Sequence, residues 1–261
     1  MTGNFLDLGH GLWNIRGNLK IGGVLNVGTH ASLVQLSSGR FVFLDSYELS
    51  GDLRDRVMAL TDGGQAVEAV LNLHPFHTLH CAAMHRDFPQ AQLFGSARHR
   101  ARMPHLPWAD AAVESETVAT RFADDLAFSL PAGIDYISAD EQVHAGSLLA
   151  WHKASRTLHV DDTLNLLPVP RLLRGVLPPP RMFLHPTLPR ALSPGPGAVR
   201  DFRVWAQGLA ADCADLRHLV VAHSGYRSFE PGEFSRALLL ALRRAATRLE
   251  HAEASRARPA V

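Results

Sequence analysis

His74 to Cys81 reads His-Pro-Phe-His-Thr-Leu-His-Cys, directly after the apolar run Ala69, Val70, Leu71, Asn72, Leu73. A short apolar run of this kind, closed by proline and polar residues, reads as a buried strand. Three histidines within seven positions therefore stand at the end of a strand. Neutral imidazole is the commonest nitrogen ligand of protein-bound metals, and a strand end is rigid enough to aim it. The stretch predicts a metal-binding rim at the edge of a sheet.

Upstream, Ala31 to Leu36 and Phe41 to Leu44 are β-rich runs joined by the hairpin turn Ser37, Ser38, Gly39, Arg40, and the second run ends in Asp45, Ser46. A helix is expected over Leu49 to Leu60, stopped by Thr61, Asp62, Gly63, Gly64. Ala66 to Leu73 is then the strand that delivers the histidines. Thr78 to Phe88 reads as a helix ended by Pro89, and Ala91 to Gly95 as the next strand. Strand, helix, strand in this order implies an α/β layer rather than an all-β barrel.

Farther along, Ser96 to Trp108 reads as a basic, His-bearing loop and Ala109 to Ala123 as helical. Leu126 to Leu130, Asp135 to Ser138, Ser147 to Trp151 and Thr157 to Val160 read as strands of a second sheet. Pro168 to Gly197 holds nine prolines, which predicts a long covering loop. Val199 to Ala211 reads as a helix, Leu216 to Ala222 as a strand ending in His223, Ser224, Gly225, and Pro231 to Glu253 as a terminal helix. That helix carries Phe234, Leu238, Ala241, Leu242, Ala245 and Leu249 on one face. The expected organisation is a single domain over residues 1–261 with a proline-rich insertion at 168–197.

Composition narrows the function classes. The 261 residues are 46% hydrophobic and 20% charged, ordinary for a globular chain. A formal net charge of +1 supplies no field that would gather nucleic acid or an anionic membrane. The arginines of the terminal helix alternate with apolar and acidic residues and read as its solvated side. No apolar run approaches bilayer length, the N-terminus shows no signal-peptide pattern, and the two cysteines build no disulfide framework. A cytoplasmic protein acting on a small-molecule substrate, without nucleic acid or membrane as partner, is the expectation; nothing in the chain specifies an oligomeric state.

Polar residues just past strand ends mark four places where chemistry can sit: His74, His77, His80; then His144 before Gly146 and Ser147; then Asp161 and Asp162; then His223 before Ser224 and Gly225. Histidines from three segments and a carboxylate from a fourth form a mixed nitrogen and oxygen donor set, suited to zinc, with iron or manganese as alternatives. The other histidines, among them His99, His152, His159 and His185, read as scattered packing or surface residues.

In the order of these features from about Asn14 to Gly225, the chain resembles the metallo-β-lactamase-like superfamily of metal-dependent hydrolases. The resemblance implies an α/β fold, the four-layer αββα sandwich. The family signature H-x-H-x-D-H laid on Pro75 to His80 matches at His77 and His80, with Leu79 where the motif has aspartate and His74 one residue from the first ligand position. It implies His77, His80, His144, Asp162 and His223 as metal ligands, with His74 and Asp161 as additional candidates. Asp162 is also implied as the catalytic carboxylate. An apolar Leu79 removes a hard anionic ligand, so one zinc ion is expected rather than two. The activity implied is hydrolysis of a small ester, thioester or amide by metal-activated water. The alternative is a degenerate relative that keeps the scaffold and acts as a binding or sensor protein.

Overall fold

The structure, a computed structural model, describes residues 4–18, 20–21, 25–26, 28–167, 180–223 and 225–256. The chain forms two compact units. The first comprises Met1–Phe128 and Leu149–His159, the second Ser129–Leu148 and Val160–Val261. The chain thus leaves the first unit at Phe128, returns for eleven residues, and leaves again just before Asp161 and Asp162.

The first unit is built on a six-stranded sheet in the order Phe5–Asp7, Leu12–Gly17, Thr29–Gln35, Phe41–Leu44, Val67–Leu71, Gln92–Phe94. The first four strands pair antiparallel and the last three parallel. Parallel neighbours need crossovers, and the helices Gly51–Leu60 and Cys81–Asp87 supply them. Strand alternation sends Ile15, Leu33, Phe43 and Val70 to one face, where they form a core with Val57, Met84 and Phe88 of the helices. The opposite face carries Asn14, His30 and Ser32, all buried. The returning segment adds Leu149–His152, paired antiparallel with Thr157–Val160.

In the second unit, Leu164–Leu166 pairs antiparallel with Met182–Leu184, and His218–Val221 with Gly225–Ser228. The helices Ala198–Asp212 and Glu233–Arg256 pack on each other, and the latter also covers Met182–Leu184. Its buried residues are Phe234, Leu238, Ala241, Leu242, Ala245 and Leu249, the face expected from the 3.6-residue period.

The structure corrects several expectations. From Pro180 to Gly197 the proline-rich stretch is not a plain loop: it holds the strand Met182–Leu184 and the short helix Leu188–Ala191. Pro189 sits in the first turn of that helix, where a missing N–H costs no hydrogen bond. Residues 168–179 of the stretch lie outside the described residues. Asp135–Ser138 is no strand; Ile134 instead makes an isolated bridge to Leu192, and the Asp135 N–H donates to the Ala191 carbonyl. Ser96 to Trp108 contains the helix Ala97–Arg102, closed by a capping box of Ser96 and His99. Only Glu116–Arg121 of Ala109–Ala123 is helical, with the Ser115 hydroxyl accepting the Val118 N–H. The helix expected from Thr78 begins at Cys81, because turns hold the histidine stretch: the His77 N–H donates to the His74 carbonyl and the Thr78 N–H to the Phe76 carbonyl.

Candidate metal centre

The residues leading into the histidine stretch are locked from both sides. The Asn72 amide donates to the Phe94 carbonyl at 2.9 Å, and its oxygen accepts the Ser46 hydroxyl at 2.6 Å and the Cys81 thiol at 3.2 Å. Asp45 adopts φ +63° at the end of its strand, and its Oδ1 accepts the Leu73 N–H at 2.8 Å. The backbone is therefore fixed up to the residue before His74. Burial pushes the Cys81 thiol up to about 12, which leaves it a hydrogen-bond donor rather than a ligand or nucleophile.

His74 and His77 stack with ring centroids 4.1 Å apart. The Phe76 N–H donates to His74 Nδ1 at 3.2 Å, so that nitrogen holds a lone pair and a neutral His74 carries its proton on Nε2. Arg98 braces the loop, its guanidinium 4.1 Å over the Phe76 ring and its Nη1 3.3 Å from the Pro75 carbonyl. Behind it, burial lowers the pKa of His99 to about 4. His80 takes the N-cap position of the next helix, with its ring edge-on to Tyr47 at 5.1 Å. Its pKa is lowered by burial, against the opposing charge of Glu48. Leu79, at the aspartate position of the motif, is 71% exposed.

A second polar group in the first unit escaped the sequence reading. His159 Nδ1 lies 2.9 Å from the Ser32 hydroxyl and its Nε2 2.9 Å from Asp45 Oδ2. His30 stacks on His159 at 4.1 Å, and the Asn14 amide nitrogen contacts Ser32 Oγ at 3.0 Å and His30 Nδ1 at 3.3 Å. Ligand atoms of His30, Asp45 and His159 lie within 4.8 Å of one another, so they could in principle hold a metal. The hydrogen bonds argue against it. Both nitrogens of His159 are engaged, and a ligating nitrogen needs a lone pair aimed at the ion. We read the group as a buried network that ties Asp45, and through it Leu73, to the sheet. One sequence signal did point to it: Asn14, His30 and Ser32 alternate with apolar residues on buried strands.

In the second unit, Asp162 is buried and its Oδ1 lies 2.9 Å from His223 Nε2. The Thr163 hydroxyl donates to the Ala145 carbonyl at 2.9 Å and accepts the Ser147 N–H at 3.2 Å, fixing the His144 segment beside Thr163. Gly146 is required there, since a Cβ would come 2.6 Å from the Asp135 carbonyl oxygen. His144 Nε2 lies 2.6 Å from the Glu141 carbonyl, which can only accept, so Nδ1 holds the lone pair. Asp161 is buried beside Asp162 in sequence. His185, absent from the expected ligands, has a pKa lowered by burial and feels the charges of Asp162, His223 and His144.

The five expected ligands thus divide, with His77 and His80 in the first unit and His144, Asp162 and His223 in the second. Among these and the two additional candidates, His74 stacks on His77 within the first unit, and Asp162 Oδ1 lies 2.9 Å from His223 Nε2 within the second. His30, Asp45, His159 and His185 are the polar residues whose partners the sequence did not disclose.

No protein-family model matches the chain, and no curated protein matches it in sequence. Solved structures do match. A metallo-β-lactamase from Erythrobacter litoralis with β-mercaptoethanol in its active site is 14% identical with a TM-score of 0.59, covering 94% of this chain and 98% of that one. The metallo-β-lactamase from Pontibacter korlensis is 12% identical with a TM-score of 0.55 over 92% and 98%. The FIM-1 enzyme from Pseudomonas aeruginosa, in its mono-zinc form, is 9% identical with a TM-score of 0.58 over 92% and 95%. The chain has the metallo-β-lactamase fold, the αββα class expected from the order of its motifs. No helix among the described residues is long and apolar enough to cross a membrane.

Proposed function

We propose that this protein is a metal-dependent hydrolase of a small ester, thioester or amide, with His77, His80, His144, Asp162 and His223 as the ligand set for one zinc ion. The observation that carries this reading is the buried Asp162 carboxylate 2.9 Å from His223, in a unit where Asp162, His223 and His144 all bear electrostatically on His185. Buried carboxylates surrounded by imidazoles are costly to keep for packing alone and apt for holding a cation. Imidazole nitrogens with one carboxylate are a donor set that fits zinc, with iron or manganese next. His144 Nδ1 already carries its lone pair, while a neutral His74, with its proton on Nε2, is a poorer ligand than His77. A zinc ion held there would polarise a carbonyl and lower the pKa of a water molecule. Asp162 then has two tasks: to balance the cation and to take the proton released by water.

The second reading, a binding or sensor protein on the same scaffold, is favoured by one observation: Leu79 replaces the motif aspartate and faces solvent. Elemental analysis of protein purified without chelators, followed by a panel of ester and thioester substrates, separates the two. For a hydrolase, about one equivalent of metal is expected, and Asp162→Asn should abolish turnover while cooperative unfolding persists. Turnover that persists unchanged in Asp162→Asn removes the hydrolase reading.

A further inference from the structure

Resting on the hydrolase reading, we infer that His185 is the hydrogen-bond donor that receives the negative charge developing on the substrate carbonyl oxygen, and that it is not a metal ligand. Its place follows from strand register. Leu164 pairs with Leu184, and the His185 N–H donates to the Thr163 carbonyl at 3.3 Å, which sets His185 opposite Thr163, the residue after Asp162. Pro186 follows, and a residue before proline is held to extended backbone, so the position is stiff.

The tautomer is decided by Thr187. Its backbone N–H lies 3.2 Å from His185 Nδ1 and its hydroxyl 2.8 Å from the same atom. A backbone N–H can only donate, so Nδ1 holds the lone pair and a neutral His185 carries its proton on Nε2. Nε2 has no hydrogen-bond partner among the described residues, and the side chain is half-buried. A nitrogen that bears a proton cannot ligate, but it can donate. His144 is the same tautomer with the other nitrogen engaged: its Nε2–H meets the Glu141 carbonyl, whereas in His185 it is the Nδ1 lone pair that meets Thr187. Burial, the largest influence on His185, lowers its pKa against the opposing charge of Asp162.

In the proposed step, water adds to the carbonyl carbon and the C=O π pair moves to oxygen, where it accepts the Nε2–H hydrogen bond. The C–O or C–S bond then breaks, and the proton lost by water reaches the leaving group by way of Asp162. His185 begins and ends neutral. Donors placed where such charge develops contribute about 10²- to 10³-fold to kcat.

The test uses the full-length protein with ¹⁵N-labelled histidine. Long-range ¹H–¹⁵N spectra should show His185 as the Nε2–H tautomer, assigned by its loss in His185→Gln. Sodium acetate, whose carboxylate mimics the oxyanion, should shift that resonance and bind several-fold more weakly to His185→Phe. On the ester panel, His185→Phe should lose about 10²-fold in kcat with KM and metal content nearly unchanged, and His185→Gln, which places an N–H near Nε2, should recover part of the loss. An Nδ1–H tautomer, no acetate response, or metal lost from His185→Phe overturns the inference. Failure of every substrate to turn over would sink the hydrolase reading instead, while the tautomer and acetate readouts still decide the state of His185.

Discussion

The two units treat histidine in opposite ways. In the first, His159 has both ring nitrogens in hydrogen bonds, to Ser32 and Asp45, and is fully buried. In the second, His223 meets Asp162 while its side chain stays 25% exposed, and His185 keeps a proton-bearing nitrogen without a partner among the described residues. A closed set of donors and acceptors holds a backbone in place. An incompletely closed one leaves capacity for a ligand, and that contrast, rather than the count of histidines, separates scaffold from site.

The comparison breaks first at Asp45. Asp45→Ala strands the Leu73 N–H and the His159 Nε2–H in the interior, and its loss should cost about 3 to 5 kcal/mol in urea unfolding. A loss below about 1 kcal/mol would show that the network is not structural. Next is acid. Burial lowers the pKa of His152, whose Nδ1 lies 2.8 Å from the Ser155 hydroxyl, to about 4. Between that value and about 6.5 the unfolded chain binds the extra proton, so stability is full above about pH 6.5 and falls as pH drops toward 4, by on the order of 3 kcal/mol. Unfolding of His152→Gln across this window should show the acid-side slope reduced by about one proton's share, His99 keeping its own, and an unchanged slope would assign it elsewhere.

Smaller effects sharpen the contrast. Asp162→Asn keeps volume and an acceptor oxygen and touches a partly exposed partner, so its stability cost should stay near 1 kcal/mol, measured by the same urea series. A cost equal to that at Asp45 would make the second group structural as well. Least of all, Leu79→Asp changes a side chain that is 71% exposed and should alter stability within about 0.5 kcal/mol. Metal content by elemental analysis should also stay the same, because the side chain projects to solvent. A second equivalent of metal in that variant would show that the loop can turn the carboxylate inward.

Much of the fold was legible because hydrophobic period and chain punctuation are local. Phe41–Leu44 and Thr157–Val160 carry the predicted bounds, and the hairpin turn before Phe41 closes with Gly39 at φ +82°. The strands Leu12–Gly17 and Gly225–Ser228 were not legible. A buried polar residue, Asn14, interrupts the apolar pattern of one, and the other is polar and half-exposed. The middle of the proline-rich stretch misled for a related reason: a strand as short as Met182–Leu184 is stabilised by its partner Leu164–Leu166, which no local composition reveals.

By itself the sequence determined the class of fold and the strand ends at which polar residues wait, since both follow from which residues can be buried and where the chain must turn. What only the tertiary structure decided is the state of each imidazole. Whether a histidine binds, donates or merely packs depends on which group meets each ring nitrogen. For His159 those groups are Ser32 and Asp45, both more than a hundred residues away in the chain. For His185 the tautomer is set locally by Thr187, but its place beside Asp162 comes from strand pairing. A one-dimensional pattern records that a nitrogen is present; the direction of its lone pair is a property of folded neighbours.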